Sequence, residues 1–414
     1  MLWPKVNLKY GSAFCIVTAI TVFYCLCSVH LYHSPNDFPV PSSCAPMQLH
    51  QTPQNVSQNS RGCLPKMDIM FMKTHKTASS TIINILFRFG QKHGLKFAFP
   101  NSRNDFYYPS SFHRTYVKGY QSGLCFNIMS NHMRFNSAEV TQVLPQDTVY
   151  VTVLRDPAEL FESSFHYFSH LIPLTWWIQG EDKMTEFLRD PNYYYKPNGL
   201  YSFYLKNLLF FDFGYDNNLD EDSPMVEQSF KEIAKRFDLV MLTEHFEESL
   251  ILLKDVLCWS MDELLFFKLN ARKESSAPRL TPELKQKALK WNSIDWKLYK
   301  YFNSTFWHKV ELYGREQMVK DVAELKRRNA EMMEICIEGG HSVEATNIHS
   351  EDLQPWQPVG EKSIVGYNLK SNIDKQYEEL CRKMLTPELQ YMSDLGVNLW
   401  LTRLWGSVRK VMGL

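Results

Sequence analysis

No glycine occurs between Gly62 and Gly90. That gap excludes the nucleotide triphosphate loop, which needs Gly-x-x-x-x-Gly-Lys-Ser/Thr so that the backbone can close on phosphate. No two cysteines are spaced as CxxC or grouped with histidines, so no zinc site is expected. An excess of either charge is missing too. The 45 basic residues are matched by 45 acidic ones, which argues against non-specific nucleic-acid binding and leaves anion recognition to local clusters. Internal repeats are absent, and between Lys9 and Arg61 there is neither lysine nor arginine.

That last gap holds a long apolar run. Residues Tyr10 to Asn36 are uncharged, with an apolar centre from Ala13 to Val29 that is long enough for one bilayer span. Lys5 and Lys9 put the positive flank on the N-terminal side. We therefore expect a cytosolic tail (1–10), a transmembrane signal anchor (11–32), a lumenal stem (33–66) and a catalytic domain (67–414), a single-pass type II arrangement. A cleaved signal peptide is the rival, although the run exceeds an h-region of about 7–15 residues. The stem is rich in Pro, Ser, Gln and Asn without apolar periodicity. Acceptor sequons at Asn55 and Asn303 suit a lumenal chain. So do Cys44, Cys63, Cys125, Cys258, Cys336 and Cys381, whose pairing the sequence leaves open.

The chain is organised around Met70 to Phe87. An apolar run, Ile69 to Met72, leads into Lys73-Thr-His-Lys-Thr-Ala-Ser-Ser-Thr81 and then into Ile82, Ile83, Leu86 and Phe87 at helical spacing. A strand is expected to turn into a helix here. Two lysines and small hydroxyl residues suit a loop that wraps an anion, with Ser79, Ser80 and Thr81 capping the helix and its first N–H groups facing the charge. An ordinary capped helix start is the plain alternative.

Buried strands are expected at Asp68–Met72, Cys125–Met129, Thr148–Leu154 and Asp238–Leu242, with helices at Thr81–Phe89, Pro157–Phe168 and Phe246–Leu257. That alternation predicts a parallel sheet with crossover helices, which binds ligands beyond the carboxyl ends of its strands. Lys73, His75 and Lys76 stand there after the first run, Asn131, His132 and Arg134 after the second, Arg155 and Asp156 after the third, and Glu244 and His245 after the fourth. Arg155 and Ser163 suit a terminal phosphate, which a guanidinium bonds bidentately. A helix-start ion pair of Arg155 with Asp156 is the bland reading.

Taken in order, Lys76-Thr-Ala-Ser-Ser-Thr81, Asn131-His-Met-Arg-Phe135 and Leu154-Arg-Asp-Pro157 with Ser163 resemble the Golgi carbohydrate sulfotransferases. The fuller run from Lys73 to Gly90, with Phe97 to Phe106 and Gly366 to Leu369, resembles the galactose 3-O-sulfotransferase family, and within it the members that act on galactosylceramide. The resemblance covers Met67 to the C-terminus. It implies an α/β fold whose P-loop-kinase-like parallel sheet is flanked by helices. It also implies sulfuryl transfer from 3′-phosphoadenylyl sulfate (PAPS), without a metal, to the 3-hydroxyl of terminal β-galactose on a glycolipid at the Golgi membrane. Lys76, Thr77, Ala78, Ser79, Ser80 and Thr81 would hold the 5′-phosphosulfate, and Arg155 with Ser163 the 3′-phosphate. Arg272 and Lys273 would belong to a loop over the nucleotide. Several relatives carry a second arginine where this chain has Leu160.

The chemistry accounts for these residue types. Negative charge builds on the leaving phosphate, so a lysine at the bridging oxygen stabilises the transition state, the role given to Lys76. A neutral imidazole suits the acceptor proton near pH 7, the role given to His132. His75 is the rival base, with its side chain expected to point away from Lys76. The aromatic-rich region from Phe165 to Phe213 is the expected acceptor site. Galactose on glycoproteins, a P-loop kinase or phosphatase, and a non-catalytic lectin are the rival functions. The C-terminal run from Leu395 to Met412 reads as either an interfacial helix or a docked one.

Overall fold

Ile69–Met72 is buried at every position, and a strand covered on both faces belongs inside a parallel sheet. The computed structural model describes residues 62–273, 280–357, 364–400, 402 and 404. The expected tail, span and most of the stem lie outside them, as do Asn55 and the greater part of the C-terminal run. No helix among the described residues is long and apolar enough to cross a membrane.

In chain order, the elements that build the site are β1 (Ile69–Met72), α1 (Ser79–Lys92), β2 (Phe97–Ala98), β3 (Ile128–Met129), β4 (Val149–Leu154), α2 (Pro157–Phe168), α3 (Leu208–Asp212), β5 (Leu239–Leu242) and α4 (Phe246–Leu257). The strands run β2-β3-β1-β4-β5, all parallel. From β1 the chain builds β2 and β3 on one side, then crosses to add β4 and β5 on the other. The reversal puts the crevice beyond the carboxyl ends of β1 and β4, where the Lys73–Ala78 and Arg155–Asp156 segments stand.

Helices α2 and α4 have the bounds expected from sequence, while α1 begins at Ser79 rather than Thr81 and runs on to Lys92. Pro157 occupies the first turn of α2, and Asp156 accepts from the amides of Ala158 and Glu159. The expected second run, Cys125–Met129, shrinks to Ile128–Met129, because the Phe126 amide bonds to Val143 and the Asn127 amide to Lys96 outside the ladder. Strand β2 was not expected; two residues are too few to show a period. A Cβ at Gly90 would lie 2.3 Å from the Phe97 ring, so glycine lets α1 pack closely on β2.

Beyond the sheet come α5 (Ser293–Tyr313), α6 (Arg315–Cys336), β6 (Val343–Glu344), β7 (Val365–Gly366), α7 (Lys375–Leu385) and α8 (Glu388–Asp394). Disulfides join Cys63 to Cys258 and Cys336 to Cys381, the latter stapling α6 to α7. Asn84 of α1 donates to the carbonyls of Lys383 and Thr386 (2.8 and 3.2 Å), which brings α8 to the start of α1. Asn303 sits within α5, half-buried, rather than on the loop that sequons favour. Of the C-terminal run, Val397 and Leu399 are buried, whereas Trp400 and Leu404 are exposed.

Helix α3 is short and is held from α5. Asp295 accepts from the amides of Leu209 and Phe210 (3.0 and 2.9 Å), which have no intrahelical acceptor. Asn292 accepts from the Asn207 amide (2.8 Å). Burial pushes the Asp295 carboxyl up to about 7 against the pull of its two amide bonds. Asp295→Ala strands both donors and should cost about 1–3 kcal/mol. Chemical denaturation measures it, and Asp295→Asn, which keeps one acceptor oxygen, should lose less.

Candidate active site

The turn from β1 to α1 passes through two left-handed residues, Lys76 (φ 58°) and Ala78 (φ 59°), with Thr77 between them. Such positions cost of order 1–3 kcal/mol each without glycine, so the surroundings must hold them. Arg155 Nη1 donates to the Lys76 carbonyl (3.1 Å), Thr243 Oγ1 to the Thr77 carbonyl (3.1 Å), and the Thr81 amide to the Ala78 carbonyl (3.2 Å). In a trans peptide the following N–H points opposite its carbonyl. The amides of Thr77, Ala78 and Ser79 are therefore turned away from these donors. Alternating handedness of this kind forms an anion-binding concavity, here at a helix N-terminus.

The loop hydroxyls do not cap α1 as the sequence led us to expect. Its N-cap is Ala78, which has no side-chain acceptor. Thr77 Oγ1 lies 2.8 Å from Thr74 Oγ1, and Ser79 Oγ donates to the Thr74 carbonyl (3.3 Å). Thr81 Oγ1 accepts from the Leu269 amide (3.2 Å). These three hydroxyls fold the loop, leaving main-chain N–H groups as its anion donors. Ser80 alone turns its hydroxyl to an acid, Glu388 Oε2 of α8 (3.2 Å).

Glu388 also separates the two lysines. Lys73 Nζ lies 2.6 Å from both of its oxygens, so this buried ammonium is already neutralised. Lys76 Nζ rests on the Tyr167 ring, 3.6 Å from its centroid. The Glu388 carboxylate, held by Lys73 and Ser80, thus stands beside the start of α1.

Two histidines meet beside the loop. His75 stacks on His132 with centroids 4.0 Å apart and planes 10° from parallel. His132 Nδ1 is 3.2 Å from the Lys73 carbonyl. A carbonyl only accepts, so Nδ1 carries the hydrogen and Nε2 keeps the lone pair, the tautomer a general base needs. Burial first, then the neighbouring His75 and Lys73, hold His132 well below the usual imidazole value. It is neutral at pH 7.

The phosphate candidates lie on the other side of the loop. Arg155 reaches the Lys76 carbonyl through Nη1, and the Ser163 hydroxyl of α2 has no hydrogen-bond partner among the described residues. The Arg155–Asp156 ion pair does not form: Asp156 caps α2 and meets Lys285 at 3.0 Å. Arg272 comes to α2 through Glu162 (3.0 and 2.8 Å). Lys273 pairs instead with Glu344 at the surface (2.8 Å), and residues 274–279 lie outside the described set. Glu244 accepts from the Asp156 amide, His245 packs on Trp307, and Arg134 bonds to the Gly214 and Tyr215 carbonyls, all structural uses. Leu160 is core. Sequence reasoning missed Asp212, Tyr108 and Glu388, because each reaches the site from an unrelated segment. The aromatic region divides into Tyr167 and Tyr204 beside the loop and the exposed Trp176, Trp177 and Tyr193.

The lysines should separate in unfolding experiments. Lys73→Met leaves Glu388 as an uncompensated, largely buried charge and should cost about 3–5 kcal/mol. Lys76→Met takes an ammonium off the Tyr167 face, a contact worth about 0.5–2 kcal/mol, and should cost less than Lys73→Met. Thermal or urea melts of the two variants decide it.

The chain is 53% identical over 404 residues to the Homo sapiens protein named galactosylceramide sulfotransferase, covering 97% of this chain and 96% of that one. It is 57% identical over 358 residues to the Mus musculus protein of that name, covering 86% and 84%. Against galactose-3-O-sulfotransferase 2 of Mus musculus it is 41% identical over 339 residues, covering 80% and 85%. The family profile described as Galactose-3-O-sulfotransferase matches residues 12–399, and this chain belongs to that family.

Proposed function

We propose that this chain transfers a sulfuryl group from PAPS to the 3-hydroxyl of terminal β-galactose on galactosylceramide and related glycolipids. The observation that carries the reading is the pairing of an outward-facing amide loop with a neutral His132 whose Nε2 is available. The acceptor class rests on the greater identity to proteins named for galactosylceramide, 53–57%, than to galactose-3-O-sulfotransferase 2, at 41%.

PAPS supplies a sulfuryl group activated by a phosphate leaving group. The amides of Thr77, Ala78 and Ser79, with Ser80 and Thr81, hold its 5′ end, and Arg155 and Ser163 hold the 3′-phosphate. His132 Nε2 takes the galactose hydroxyl proton as the new oxygen–sulfur bond forms and the old one breaks. The electron pair leaves with the phosphate, where Lys76 meets the growing charge. Arg272 is placed beside α2 to cover the nucleotide, with Lys273 at its surface edge. The aromatic region from Phe165 to Phe213 receives the sugar.

The cellular setting belongs to the same proposal. Residues 11–32 anchor the chain in the Golgi membrane with the catalytic domain lumenal, and Asn55 and Asn303 are acceptors for glycosylation. Disulfides on the catalytic domain support an oxidising compartment.

Labelled PAPS offered with galactosylceramide, a glycoprotein-type galactoside and a uronic acid acceptor should give label on the glycolipid first. Label on none of them would exclude the activity, and preference for the glycoprotein-type sugar would exclude the acceptor. Arg155→Ala should weaken PAPS binding by roughly 10–150-fold, and adenylyl sulfate, which lacks the 3′-phosphate, should bind mutant and wild type alike. Titration calorimetry reads both.

A further inference from the structure

His132 has a role in this chemistry, but the ring it stacks on does not. Asp212, at the end of α3, is fully buried, and a buried carboxylate needs its bonds filled. Its oxygens serve two neighbours. Oδ2 accepts from the His75 amide (2.9 Å), both oxygens lie 3.0 Å from His75 Nδ1, and Oδ1 accepts from the Tyr108 hydroxyl (2.7 Å). A carboxylate does not donate, so His75 Nδ1 carries the hydrogen and the tautomer is fixed. Burial and the adjacent Asp212 raise Tyr108 well above the usual phenol value, which keeps it a donor. The Phe168 and Tyr204 rings stand edge-on to His75 at 5.9 and 5.4 Å, and Tyr108 is tilted at 4.5 Å. His132 stacks parallel to the His75 ring.

We propose that Asp212 and Tyr108 lock His75 as a rigid platform for His132, fixing where His132 Nε2 meets the acceptor hydroxyl. His75 is then a positioning residue, and the proposal rests on His132 being the base. The same contacts explain the protonation state. His132 faces His75, Lys73 and Lys76 from the loop. On its own side the Phe106 amide bonds to the His132 carbonyl, while Asp105 is turned to Arg103 and the Tyr108 amide. Asp212 is spent on His75 and Tyr108, and Glu388 on Lys73 and Ser80. No carboxylate bonds to the His132 ring among the described residues, and the bond to the Lys73 carbonyl, which favours an imidazolium, is outweighed by burial and the neighbouring cations.

The test is kcat and KM against pH for a soluble β-galactoside at saturating PAPS, in wild type, His75→Gln, Asp212→Asn, Tyr108→Phe and His132→Ala, with PAPS binding as the check on folding. His75→Gln and Asp212→Asn should keep their PAPS affinity and lose kcat by up to about a hundredfold, the cost of a misplaced base. Tyr108→Phe should lose less, in the same direction. His75→Gln should also move the acidic limb of kcat upward, because removing that ring takes away one of the groups that hold His132 low. A purely structural defect would not move the limb. An unchanged limb and unchanged kcat in His75→Gln would overturn the platform. So would loss of the limb in His75→Gln with its retention in His132→Ala, since His75 would then be the base. Near-normal turnover in His132→Ala with the limb still moved by His75→Gln would remove the base reading on which the platform rests. If Asp212→Asn fails to bind PAPS, His75→Gln and Tyr108→Phe carry the decision.

Discussion

Three consecutive carbonyls, those of Lys76, Thr77 and Ala78, are tied from behind by Arg155, Thr243 and the Thr81 amide, and the rest of the site depends on that tether. Without it, two non-glycine residues would not stay left-handed, and the amides opposite those carbonyls would not converge. The tether is built from strand ends. Arg155 ends β4 and Thr243 ends β5, while Thr74 after β1 donates to the Val153 carbonyl (2.5 Å). Adjacent parallel strands thus lock a loop that a Walker sequence would shape with glycine.

This division of labour explains how two lysines three residues apart differ. Lys73 is consumed by Glu388 of α8, a residue more than three hundred positions away in the chain. Lys76 lies against an aromatic face, a contact worth about 0.5–2 kcal/mol, which an arriving anion can outbid. Through Glu388, α8 therefore bonds to the loop and the start of α1 as well as packing on them. Asn84 draws the C-terminal helices against α1, and the Cys336–Cys381 bridge secures α7 behind them.

The strand-to-helix turns at β1, β4 and β5 were legible in the sequence because each joins an apolar run to a strong helical period within a few residues. The placement of the Lys73–Ala78 loop and Arg155 beyond the ends of β1 and β4 was legible for the same reason: each follows its strand directly. The hydroxyl residues misled, since Ser79 and Thr81 look like caps until the αL turn at Ala78 carries the N-cap inward and their oxygens bond to Thr74 and Leu269. The partner of His75 was not legible, because nothing near it in sequence says that Asp212 will bond its Nδ1. That contact depends on α3, whose position is set by Asn292, just before α5, and Asp295 in the first turn of α5, a long-range arrangement with no local signature. Two-residue strands such as β2 fall below any period.

The central claim is that the tethered loop and Arg155 form one nucleotide site. A crystal structure with adenosine 3′,5′-bisphosphate tests it most directly. The account predicts the 5′-phosphate on the amides of Thr77, Ala78 and Ser79, the 3′-phosphate on Arg155 and Ser163, and His132 Nε2 open towards the sulfuryl position. A nucleotide bound elsewhere, or bound here in reverse with its 3′-phosphate on the loop, would contradict it.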